Sequence, residues 1–158
     1  MKVFLYDKSS LVVDSASKAK HDPGERKRVK NQENFAETFA KLKAILEPYA
    51  AKMIVVHDTS ANYYLDTPYV MKNKQRMFFA AVRMGKAYVS FHLIPVYCCP
   101  DLLDSLTPEL KKHMQGKSCF NFKTVDEKLF KELAKLTKAG AARFSGQKLA
   151  KFMESIGR

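Results

Sequence analysis
Long hydrophobic runs are absent from this 158-residue chain. No stretch approaches the ~18 apolar residues of a helical membrane span, so no membrane role is expected. Met1 to Tyr6 reach a charge at Asp7, too soon for the apolar region of a secretory leader, and a cytoplasmic location is expected. Glycine and proline are scarce, at six each, which excludes fibrous and disordered chains. Cysteine is scarcer. Cys98, Cys99 and Cys119 form an odd set with two of them adjacent, a poor disulfide framework that suits a reducing compartment. No CxxC occurs, which removes the thioredoxin-like and zinc-ribbon readings. His57, His92 and His113 show no HxxxH or HxxE spacing, and Walker A, dinucleotide and G-x-S-x-G patterns are missing. No metal site and no cofactor are expected, and enzymatic activity has no motif behind it.

Acidic residues are also few: 16 Asp and Glu stand against 28 Lys and Arg, for a net charge of +12. The excess is spread along the chain, with eight basic against four acidic residues in 1–30, eight against five in 31–97 and twelve against seven in 98–158. Such a balance favours polyanionic partners through counterion release, and it also serves solubility on the polar faces of helices. What is plentiful is core material, 46% apolar and 11% aromatic, in a chain of single-domain length.

Residues 1–30 read as a hairpin (Val3 to Tyr6 with Leu11 to Val13) or a mobile basic arm, with His21-Asp22-Pro23-Gly24 as a turn signal. From Asn31, Phe35, Phe39, Leu42 and Leu46 recur at helical spacing, and Pro48 stops the winding. Lys52 to His57 and Tyr63 to Leu65 read as strands, closed by Asp66-Thr67-Pro68, with residues 69–76 as a basic connection.

Met77 to Met84 and Ala87 to Ile94 flank Gly85-Lys86, which predicts a two-residue type II′ turn. That register would place Val82 opposite Val89, Ala80 opposite Phe91 and Phe78 opposite Leu93 on a core face. The other face would hold Phe79, Arg83, Tyr88, Ser90 and His92. Thr107-Pro108 starts a helix expected to run to Gln115 and end at Gly116. Ser118 to Lys123 alternates as a last strand, with Phe120 and Phe122 on one side and Cys119 and Asn121 on the other. Thr124 to Glu127 reads as a capping box before a helix ended by Gly140. Residues 141–158 read as a C-terminal amphipathic helix, with Leu149, Phe152, Met153 and Ile156 packed on the domain.

The stretch from Lys74 to Gly140 resembles the YdhG-like family of small bacterial proteins. The resemblance rests on the Phe78–Leu93 strand pair with Gly85-Lys86, then His92-Leu93-Ile94-Pro95, Leu106-Thr107-Pro108-Glu109-Leu110 and Gly116 to Phe122. Asp126 to Leu136 completes it, and with the first helix and hairpin it would cover 31–140. It implies an α+β fold with an antiparallel sheet packed against helices, and little about activity. Some relatives are described as frataxin-like, which implies iron handling. Hard cations want carboxylate oxygens, whereas the first helix here sets Glu33, Glu37 and Glu47 among Lys41 and Lys43.

The expected fold is α+β, with an antiparallel sheet of about five strands packed against several helices. The expected function is a non-catalytic binding module for a small anionic ligand or a protein partner. Its site would comprise Phe79, Arg83, Tyr88, Ser90 and His92, joined by Cys119 and Asn121 if the last strand neighbours the hairpin. That neighbourhood would also assemble a Cys/His/Asn set, the residue types of thiol catalysis. A helix covering the polar face is the competing reading. The alternative function is polyanion or nucleic-acid binding through Lys72, Lys74, Arg76, Lys111, Lys112 and Lys117.

Overall fold
A computed structural model describes residues 23–155, and the segment expected to form the N-terminal hairpin lies outside them. Helix α1 spans Pro23–Leu46, beginning eight residues before the expected Asn31, so residues 23–30 are helical and not part of an arm. Proline suits a helix start because its missing N–H has no intrahelical partner there. A 3-10 turn, Glu47–Lys52, leads to β1 (Ile54–Asp58) and β2 (Asn62–Val70). Strand β2 runs past Pro68, so the 69–76 connection shrinks to a tight turn in which Met71 N donates to Gln75 O at 2.8 Å.

Strands β3 (Arg76–Met84) and β4 (Val89–Leu93) form the expected hairpin, and α2 (Ile94–Cys98) follows at once. Helix α3, Pro108–Lys111, is a single turn where four more residues of helix were expected. Met114–Gln115 instead form β5, paired with β6 (Cys119–Phe122). Gly116, at φ 72°, makes the turn between them; it is a hairpin glycine and not a helix stop. Helix α4, Glu127–Arg143, is capped by Asp126, whose Oδ1 accepts from Leu129 N at 3.0 Å, and not by Thr124. It passes through Gly140, where a Cβ would stand 2.8 Å from Pro95 Cβ, so this glycine permits close packing and terminates nothing. Helix α5, Gly146–Ser155, completes the described chain.

The fold is α+β, and the described residues form six strands in the order β1-β2-β3-β4-β6-β5, every pairing antiparallel. All five described α-helices lie with one sheet face. Phe39, Leu42 and Leu46 of α1, Leu129 and Leu133 of α4, and Leu149 and Met153 of α5 share one core with Tyr63, Leu65, Phe91, Phe120 and Phe122. Helix α5 therefore packs on the core side and leaves the opposite face alone.

Two features of the hairpin differ from expectation. Met84 pairs with Val89, Val82 with Phe91 and Ala80 with Leu93, a slip of two positions. Gly85 lacks the positive φ a II′ turn demands, and its N–H donates to Tyr88 O at 2.9 Å across a four-residue loop. A Cβ there would stand 3.1 Å from Tyr88 O, so any larger residue makes this carbonyl give by a few tenths of an ångström. A slip of two keeps every side chain on its face, since strand side chains alternate with period two. The second feature does not preserve the faces. Leu65 pairs with Ala80 but Asp66 with Phe78, so Phe79 is an extra residue on β3. This bulge turns Phe79 and Ala80 to the same side. Phe79 is wholly buried in the core beside Tyr49, and Phe78 takes the polar face.

Candidate functional site
The non-core face of the sheet is built in two rows. Register places Asn62, Arg83, Ser90 and Asn121 side by side across β2, β3, β4 and β6. The neighbouring row is Tyr64, Ala81, His92, Cys119 and Gln115. Five of the seven expected site residues, Arg83, Ser90, His92, Cys119 and Asn121, thus share one surface. Phe79 does not, because of the bulge. Tyr88 sits in the β3–β4 loop, where its carbonyl accepts from Gly85, and pairs with no strand residue.

The surface also holds residues the expected set lacked. Tyr64 stacks on Phe78 with centroids 4.5 Å apart and meets His57 edge-on at 5.9 Å, which makes an aromatic wall. The alternation of β2, Tyr63 and Leu65 inward against Asn62, Tyr64 and Asp66 outward, was a readable signal for these positions. Its pairing with β3 was not. Asn62 Oδ1 and Asp66 Oδ1 are buried without a hydrogen-bond partner, and burial raises the Asp66 pKa above its ordinary value, with Arg76 opposing.

At the β4–β6 end, Cys119 Sγ stands 3.8 Å from His92 Nε2 and donates to Asn121 Oδ1 at 3.4 Å. Asn121 Nδ2 donates in turn to Gln115 Oε1 at 2.6 Å. Burial lowers the His92 pKa, and Arg83 lowers it further. Burial raises the Cys119 pKa, with the Ser90 hydroxyl opposing. Both groups are therefore neutral near pH 7, a thiol and an imidazole, which is the reverse of the thiolate–imidazolium arrangement of a primed nucleophile. Among the described residues no three His, Cys, Asp or Glu side chains gather as a metal-binding group.

Arg83 is exposed, acts electrostatically on both Tyr64 and His92, and has no hydrogen-bond or ion-pair partner among the described residues. A guanidinium in that state is ready for bidentate contact with a carboxylate or phosphate. Four clefts of about 990, 430, 310 and 400 Å³ border α4, and none of the seven expected residues lines them.

The six basic candidates fall on three separate connections. Lys72 and Lys74 belong to the β2–β3 turn and Arg76 opens β3, with Lys74 in the left-handed region at φ 66°. Lys111 and Lys112 end α3, and Lys117 lies in the β5–β6 turn with its ammonium 5.5 Å from the Tyr97 ring centroid. Among the described residues no helix is long and apolar enough to cross a membrane. Comparisons with family models, curated proteins and solved structures find no match to the chain.

Proposed function
We propose that the protein is a non-catalytic binding module that holds a small anionic ligand on the sheet face opposite its described helices. The observation that carries the reading is Arg83, a cation without a partner among the described residues, standing in a row of polar side chains beside an aromatic wall. Its guanidinium binds the anion, Ser90 and Asn121 lie beside it to hydrogen-bond, and the Tyr64–Phe78 stack takes the ligand's apolar body. Neutral Cys119 and His92 contribute surface and hydrogen bonding, not bond-making. The YdhG-like resemblance fits an α+β sheet protein of this kind and is itself part of the proposal.

Titration with phenyl phosphate, followed by backbone amide NMR shifts, tests it. Shifts confined to β2, β3, β4 and β6 and abolished by Arg83→Gln are expected. One phosphate contact predicts only a three- to fourfold loss of affinity, roughly, between 50 and 200 mM salt, against about 10³-fold or more for a polyanion spanning many contacts. Saturable shifts elsewhere but none on this face would overturn the reading.

A further inference from the structure
A cleft of about 990 Å³ lies on the helical side of the molecule between the 101–107 segment and α4. Its apolar lining comes from Leu102, Leu106 and Leu136, all more than nine-tenths buried. Along α4 it is lined by Lys128, Lys131 and Lys135, which share one helix face at spacings of three and four. All three are exposed and have no hydrogen-bond or ion-pair partner among the described residues.

The acidic residues of the cleft are engaged. Glu127 pairs with Lys41 at 2.8 Å, and Asp101 holds Arg143 through both carboxylate oxygens. Glu132 spends both oxygens on Thr107, accepting from its N–H at 2.6 Å and its hydroxyl at 2.8 Å. These bonds fix the wall and leave the cleft with a positive excess, three ammonium groups against the Glu132 carboxylate, whose threonine partner carries no charge. Within α4 the lysines meet charges of both signs, with Glu127 four residues before Lys131 and Glu132 three residues before Lys135. Lys131 and Lys135 repel at i,i+4, and Lys128 sits in the first turn, where the helix dipole disfavours a cation. An anion lodged in the cleft would relieve both effects.

We infer that this cleft is a second ligand site, distinct from the sheet face, for a small molecule carrying two or more phosphate groups on an apolar body. The lysines take the phosphates as three point charges, and the leucines take the body. A volume of about 990 Å³ accommodates a ligand of nucleotide size.

Amide NMR titration of the full chain with adenosine diphosphate, and separately with inorganic pyrophosphate, tests the inference. Adenosine diphosphate is expected to shift Ser105, Thr107 and the first half of α4, and to bind several-fold tighter than pyrophosphate. The K128Q/K131Q/K135Q variant is expected to weaken it at least tenfold, with K128R/K131R/K135R restoring most of the affinity. Arg83→Gln is expected to leave it unchanged, so failure here and failure of the sheet-face reading are separable. Shifts spread evenly over Lys72, Lys74, Lys111 and Lys117, or an unaltered affinity in the glutamine variant, would overturn the site. The substituted positions are exposed, and an unchanged thermal midpoint in that variant excludes unfolding as the cause of lost binding.

Discussion

His92 Nε2 and Cys119 Sγ stand 3.8 Å apart across the β4–β6 ladder, brought together by a pairing of residues 27 positions apart in sequence. Burial keeps both uncharged, and that decides their chemistry. Only the thiolate attacks electrophiles, so a raised thiol pKa slows reaction. Alkylation of Cys119 by iodoacetamide at pH 7, followed by peptide mass mapping, is expected to run at least tenfold slower in the folded chain than in urea. Equal rates would mean that folding changes neither the ionisation nor the access of the thiol, and a faster folded rate would mean a primed thiolate.

The His92 imidazole titrates below its ordinary pKa of 6.5, chiefly through burial and secondly through Arg83. The unfolded chain then takes up this proton before the folded one. Stability from this residue is full above 6.5 and is lost as pH falls from there through the folded-state value. Arg83→Gln is expected to raise the His92 pKa without restoring 6.5, because the larger cause remains. NMR titration of the ring protons checks it; a pKa unmoved by the substitution would separate the two side chains.

Phe78 and Phe79 test the bulge. Phe79 is wholly buried, and Phe79→Ala is expected to cost about 3–5 kcal/mol by leaving a cavity. Phe78→Ala removes one partner of an aromatic pair on a half-buried surface and is expected to cost about 1 kcal/mol. Urea denaturation measures both, and a reversed ranking would restore uninterrupted alternation along β3.

Gly140→Ala places a methyl 2.8 Å from Pro95 Cβ, deep in the contact between α4 and α2. Helix propensity alone favours the alanine by roughly 1 kcal/mol, yet overpacking is expected to outweigh it, for a net loss of about 1–2 kcal/mol. A raised melting temperature would show that α2 yields.

Much of this molecule was legible locally. Phe39, Leu42 and Leu46 mark the buried stripe of α1, and Phe120 and Phe122 point inward while Cys119 and Asn121 point outward, as alternation requires. Arg83, Ser90 and His92 share a face for the same reason, and the slip of two left that intact. Boundaries were less legible. Gly116 and Gly140 look alike as helix stops, but one turns a hairpin at positive φ and the other admits a proline ring.

Periodicity is a property of a single segment, so the chain's own order of apolar and polar residues determined its helices, its strands and the parity of most side chains. The displaced phenylalanine, the arrival of Tyr64 and Asn62 beside Arg83, and the neutral state of Cys119 and His92 were decided only by tertiary structure. A bulge exists only relative to a partner strand, and desolvation depends on everything that crowds around a group, neither of which neighbouring residues in sequence specify.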